Sequence, residues 1–190
     1  MKLHKDLEPF RATIEAIQRL LAKFDQRGVI IGGIAVGFVG RPRLTEDVDA
    51  LFLLSIRDIP QFLEMAAIEG IRPRIQNAEE FAHKNRVLLL QHSPTKINID
   101  ISLGILPFEE EMVERGIIQS IGTLSIRLPS PEDLIIMKII AHRPKDLEDI
   151  RTIIDKHPNL DNARIENWVK QFAEVLETPS LWEDISGLFK

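Results

Sequence analysis

The 190-residue chain has no cysteine, so it forms no disulfide and carries no thiolate chemistry, which fits a reducing compartment. It has no apolar run near the ~20 residues that a bilayer-spanning helix needs. Its opening, MKLHKDLEPF, lacks the apolar core of a signal peptide. A cytoplasmic protein without a membrane partner is expected. It also has no surplus of positive charge. Lys and Arg total 24 against 29 Asp and Glu, a net charge of −5, so any nucleic-acid contact must be local. The five histidines (His4, His83, His92, His142 and His157) are scattered, and none shows zinc-type spacing. What is present reads as globular. The 44% hydrophobic and 28% charged residues suffice for one compact domain, or for a domain with a helical extension.

Hydrophobic periodicity divides the chain into an α/β part and a helical part. Phe10, Ile14, Ile17, Leu21 and Phe24 recur at helical spacing, predicting a helix over about 7–26 that Gly28 ends. A short strand, 29–31, runs into Gly32-Gly33, and a short helix is expected over 34–39. Residues 48–54 predict a central strand, apolar on both faces after Asp49, and about 57–69 a helix. RVLLLQ (86–91) and KINIDISL (96–103) read as an antiparallel hairpin closed by the short turn SPTK. In its second strand Ile97, Ile99, Ile101 and Leu103 share one face, and Asn98, Asp100 and Ser102 the other. A helix over about 107–115 and one strand over 119–127 follow.

After Pro129 the pattern is helical. Ser130-Pro131-Glu132-Asp133 is a helix start, with a capping serine, proline in the first turn and acids near the positive helix end. Asp146 is expected to cap a helix to about Lys156. Asp161 is expected to cap another, with Ile165, Trp168, Val169, Phe172 and Leu176 on one stripe. A last short helix covers about 180–189. The expected fold class is α/β (α+β), a mixed sheet flanked by helices. Residues 1–128 form the core, and a helical region, 129–190, packs on it.

The chemistry concentrates in GGIAVGFVGRPRLTEDVD, residues 32–49. Asp47 and Asp49 are two apart at the start of an apolar strand, so their side chains share one face, with Cα atoms about 6–7 Å apart. Such a pair can hold two Mg²⁺ ions at the ~3.5–4 Å spacing used in phosphoryl transfer. The alternative is a solvated turn at Thr45-Glu46-Asp47, but charge that leads into a buried strand is costly unless it is paired. Asp100, on the polar face of its strand, is the natural third acid if the two strands are neighbours. There it would complete a metal cluster or accept a proton from a hydroxyl; otherwise it is an exposed acid on an edge strand. Gly32 and Gly33 offer phosphates close approach to backbone N–H groups at a helix start, or form a plain turn. Arg41, Arg43 and Thr45 can bind phosphate oxygens or form a solvated loop. Lys138 interrupts a helix that is apolar nearly all round. It needs a phosphate or a carboxylate such as Asp146 or Asp149, unless it snorkels to solvent. Asp149 suits helix capping.

Together, Gly32-Gly33, Asp47-Val48-Asp49 and Asp100 resemble the signature of the polymerase-beta-like nucleotidyltransferase superfamily: a glycine turn, a short helix, Asp-x-Asp on a strand and a later third acid. RPRLTEDVD and SPEDLIIMKIIAHRPKDLEDI are similar to its small prokaryotic branch of AbiEii-type toxins, and the likeness covers roughly 28–151. The resemblance implies a metal-dependent nucleotidyltransferase that moves a nucleoside monophosphate from an NTP to an acceptor hydroxyl and releases pyrophosphate. Asp47, Asp49 and Asp100 would be its catalytic and metal-binding acids, with two Mg²⁺ (or Mn²⁺) ions. Gly32, Gly33, Arg43, Thr45 and Lys138 would contact the nucleotide. Arg41, Arg143, Lys145 and Asp146 would lie at the acceptor or behind the site. In the AbiEii-like branch the acceptor is tRNA, and the protein is a toxin paired with an antitoxin. Protein hydroxyls and aminoglycosides serve elsewhere in the superfamily. A non-catalytic nucleotide- or partner-binding module is the alternative of another class, and it predicts that Asp100 points away from the Asp47–Asp49 pair.

Overall fold

The computed structural model describes residues 4–189; the expected segment ends at 1–3 and 190 lie outside the described residues. A 3₁₀ turn, Glu8–Phe10, leads into α1 (Arg11–Lys23), whose Ile14, Ile17, Leu20 and Leu21 are buried as the periodicity requires. The helix ends earlier than expected. Asp25 and Gln26 take left-handed φ values of 51° and 57°, and Gly28 is not a cap. It opens β1 (Gly28–Ile31), where any Cβ would collide with the Leu51 carbonyl of the neighbouring strand. Next come α2 (Gly32–Val39), β2 (Asp47–Phe52) and α3 (Ile59–Ile68). β3 (Ile71–Pro73) and α4 (Ala78–Asn85) lie in a stretch whose sequence carries no clear period. β4 (Val87–His92) and β5 (Ile97–Leu103) form the expected antiparallel hairpin.

The five strands form one mixed sheet in the order β1-β2-β5-β4-β3. Only β2 and β5 run parallel; the other pairs are antiparallel. Paired residues point to the same face, so the register sorts the sheet. Val48, Ala50, Ile99, Ile101, Leu88, Leu90 and Ile71 make up the buried face, against which α3 lays Ile59, Phe62 and Ala66. The opposite face carries Asp47 beside Asn98 and Gln91, and Asp49 beside Asp100 and Leu89.

After α5 (Pro107–Glu114), the expected single strand is two. β6 (Ile117–Ile121) and β7 (Leu124–Leu128) make a separate hairpin, because Gly122 at φ 61° lets the chain reverse inside that stretch. β7 lies against α1 and β1. Three helices follow: α6 (Pro131–Ala141), α7 (Pro144–Lys156) and α8 (Asn162–Val175). Ser130 caps α6 by accepting the Asp133 N–H at 3.1 Å, and Asp161 caps α8 by accepting that of Arg164 at 3.0 Å. Asp146 caps α7 not from the N-cap position but as the third residue of a capping box. It sits in the first turn and reaches back to the Arg143 N–H. On α8, Ile165, Val169 and Ala173 are buried and the expected Trp168 and Phe172 pack half-buried against the core at Phe108; Leu176 falls beyond the helix and is exposed. A short α9 (Glu183–Ser186), between two 3₁₀ turns, ends the described chain. One continuous core joins the sheet to Ile135, Ile139, Ile150, Ile153, Ile165 and Val169 of the helical region. No helix among the described residues is long and apolar enough to cross a membrane.

Replacing the buried cap Ser130 with Ala leaves the Asp133 N–H without its acceptor. The expected cost is about 1 kcal/mol, or roughly 2–4 °C in a thermal melt, with no change in helix content by circular dichroism.

Candidate active site and metal centre

The acids come together because of how β2 and β5 pair. Their parallel register sets Asp49 directly beside Asp100 and Asp47 beside Asn98. The period-2 geometry of β2 then turns Asp47 and Asp49 to the same side. One carboxylate oxygen from each of Asp47, Asp49 and Asp100 lies within 4.8 Å of the other two. Asp100 does not point away, as the non-catalytic reading requires.

The glycine turn sits against this cluster. Gly32 has φ 66°, and a Cβ there would overlap the Asp49 carboxylate. Gly32 is the first residue of α2, not merely a turn before it, so the helix start faces the acids. A Cβ on Gly33 would stand 2.8 Å from Thr45 Oγ1 and 3.5 Å from Arg43 Nη1, so both residues border the same space. The Thr45 hydroxyl donates to Asp47 Oδ1 at 3.2 Å and so orients that acid.

The expected phosphate-binding cations are mostly committed to acids of α7. Arg43 forks onto Asp149 with bonds of 2.7 and 3.0 Å. Lys138, 5% exposed, bridges Asp146 at 2.9 Å and Asp149 at 2.8 Å. Arg143 clasps Asp146 through its Nε at 2.6 Å and Nη2 at 3.1 Å. Asp149 is therefore no cap. It lies mid-helix and buried, and it ties the loop before β2 to α6. Arg41 is exposed and pairs with Asp155 at 3.1 Å. Lys145 is exposed and forms no ion pair among the described residues.

Charge is unevenly balanced across the site. Burial, with the neighbouring charges of Asp47 and Asp100, pushes the Asp49 carboxyl up to about 6; Lys138 and Arg143 pull weakly the other way. For Asp146, burial alone would raise the carboxyl. Hydrogen bonds from Arg143 and Lys138 outweigh it and bring the group down to about 2. Asp146 and Asp149 of α7 are thus neutralised by protein cations, whereas Asp47 and Asp49 of the sheet have no such partner among the described residues. Among the described residues only Arg74 makes an ion pair with any of the three, to Asp100 at 2.7 Å. Three crowded oxygen donors with unmet negative charge are a donor set suited to a hard divalent cation such as Mg²⁺ or Mn²⁺. Arg74 itself was invisible in sequence. It lies just past β3, with no motif around it, and only the order of the strands carries it to Asp100.

Comparison with known proteins agrees with this geometry. A family model described as "Nucleotidyltransferase of unknown function (DUF6036)" matches residues 8–161. No curated protein matches the sequence. Among solved structures, an antigenic nucleotidyltransferase-like protein from Paracoccidioides brasiliensis superposes with a TM-score of 0.59 at 15% identity, covering 96% of this chain and 92% of that one. ANT(2")-Ia in complex with adenylyl-2"-tobramycin superposes with a TM-score of 0.55 at 17% identity, covering 86% and 98%. These likenesses establish a shared fold.

Two outcomes follow from the electrostatics. Asp49 has a folded-state value near 6 against an ordinary 3.8, so its ionisation costs the metal-free fold stability as pH rises through that window. In EDTA near pH 7.5, Asp49→Asn should exceed the parent in urea stability by about 1–3 kcal/mol, and the gap should close near pH 4. An equal gap at both pH values would contradict the assignment. Lys138→Met leaves Asp146 and Asp149 short of a buried counter-charge; the expected loss is about 3–5 kcal/mol, read by thermal and urea unfolding.

Proposed function

We propose that this chain, which belongs to the nucleotidyltransferase family DUF6036, transfers a nucleoside monophosphate from a nucleoside triphosphate to an acceptor hydroxyl. The observation that carries the reading is the convergence of Asp47, Asp49 and Asp100 beside the glycine start of α2. Asp47 and Asp49 would hold two divalent ions and Asp100 one of them. Such ions, Mg²⁺ or Mn²⁺, would screen phosphate charge and favour ionisation of the acceptor hydroxyl.

The chain's own groups supply the rest. Gly32 and Gly33 let the triphosphate approach the backbone N–H groups that open α2. Thr45 keeps Asp47 turned inward, and Arg43, held by Asp149, borders the phosphate space with one nitrogen near Gly33. The acceptor oxygen bonds to the α-phosphorus as the α–β bridging P–O bond breaks, and pyrophosphate leaves with that electron pair. The acceptor proton passes to Asp100 at Oδ2, which accepts no hydrogen bond from the described residues. We assign Lys138 to holding α6 and α7 together, since its ammonium is enclosed by Asp146 and Asp149.

For the acceptor we favour a small molecule or a protein hydroxyl. A toxin acting on tRNA beside an antitoxin, as in the AbiEii-like branch, needs free cations around the acids. Here Arg41, Arg43, Lys138 and Arg143 are each paired with acids of α7, and the net charge is −5. The adenylylated tobramycin held by one structural neighbour supports the small-molecule reading.

The test is a transfer assay with Mg²⁺ and each α-³²P-labelled NTP, in separate tubes with aminoglycosides, total protein and total tRNA. Label should enter an acceptor fraction with the parent. It should fall at least ~100-fold with Asp47→Asn, whose melting temperature stays within a few degrees of the parent. Undiminished transfer by Asp47→Asn would refute the mechanism.

A further inference from the structure

Among the described residues Asp100 is the one acid of the cluster with a protein counter-ion, and that ion comes from just past the edge strand β3, two strands away. The Arg74 guanidinium donates through Nη1 to Asp100 Oδ1 at 2.7 Å and to the Leu90 carbonyl at 3.4 Å. Its backbone is fixed as well. The Arg74 N–H donates to the Leu89 carbonyl at 3.0 Å, and Leu89 is the register partner of Asp100. Both ends of the ion pair are therefore anchored to the strand between them, β4. Neither end is a free surface group: Arg74 is about a quarter exposed and Asp100 less than a third.

We propose that Arg74 is a positioning residue. It holds Oδ1 of Asp100 and so leaves Oδ2 as the one free oxygen of this acid. The inference rests on the proposed function, and it deepens it at the acceptor-side acid. Two effects separate this role from a general contribution to folding. A cation bonded to a metal ligand opposes the metal electrostatically, so removing it favours binding. Freeing Oδ1 also lets Asp100 turn or chelate with both oxygens, which misplaces the group that takes the acceptor proton. A residue that merely braced the fold would lower stability and metal affinity together.

The experiment titrates Mn²⁺ into the metal-free full chain and reads free Mn²⁺ by electron paramagnetic resonance, for the parent, Arg74→Ala, Arg74→Gln and Arg74→Lys. The Ala and Gln variants should bind Mn²⁺ about three- to tenfold more tightly, and Arg74→Lys, which keeps the charge, should bind like the parent. Gln keeps a donor for the Leu90 carbonyl, so it remains informative if Ala fails to fold. In the transfer assay, Ala and Gln should lower kcat about 10–100-fold with the nucleotide KM within about threefold, and Lys should restore part of kcat. Unchanged or weaker Mn²⁺ binding by both Ala and Gln would overturn the proposal, whether or not transfer is found. If the parent transfers nothing to any acceptor while the Mn²⁺ pattern holds, the proposed reaction fails and the Arg74 assignment stands.

Discussion

The site depends on one register: the parallel pairing of β2 with β5, which sets Asp49 beside Asp100. Like charges on directly paired strand residues repel, and here a third carboxylate two residues away adds to the repulsion. Burial makes it worse, and Asp49 absorbs the strain by titrating near 6. A sheet selected for stability alone would not place these groups together. The hydrophobic face fixes the register regardless, because a one-residue slip of β5 would turn Ile97, Ile99, Ile101 and Leu103 out of the core. The apolar half of each strand thus holds the polar half in an arrangement that calls for an external cation.

The helical region answers a different electrostatic question. Asp146 and Asp149 are almost wholly buried, yet Lys138, Arg43 and Arg143 surround them. Buried acids that find excellent partners remain charged, as the lowered value of Asp146 shows. The network links α6, α7 and the loop before β2, the same loop whose Thr45 orients Asp47. The helices are therefore connected to the acid cluster through Arg43 as well as through the shared core. The same pairs leave little free positive charge beside the acids.

Much of this was legible in the sequence. Alternation in KINIDISL gave the face of Asp100. The Asp-x-Asp spacing gave the shared side of Asp47 and Asp49. The need of a buried lysine for a partner pointed to Asp146 and Asp149. Errors fell where a local signal has two structural meanings. Gly28 looked like a helix stop but is a close approach between strands, and Gly122 hid a hairpin inside an apparent single strand. Asp149 looked like a cap, but α7 begins at Pro144, and Asp149 lies inside the helix, paired with Arg43 and Lys138.

The sequence by itself determined most of the elements, the polar and apolar faces of β2 and β5, and the residue types of the acid cluster, because these depend on periods of two and 3.6 residues along the chain. Only the tertiary structure decided which strands are neighbours. That order brought Asp100 to Asp49 across 51 positions of sequence and Arg74 to Asp100 across β4, and it enclosed Lys138 between two acids. Strand order and helix docking are set by burying apolar faces against one another over the whole molecule, and no local pattern encodes them.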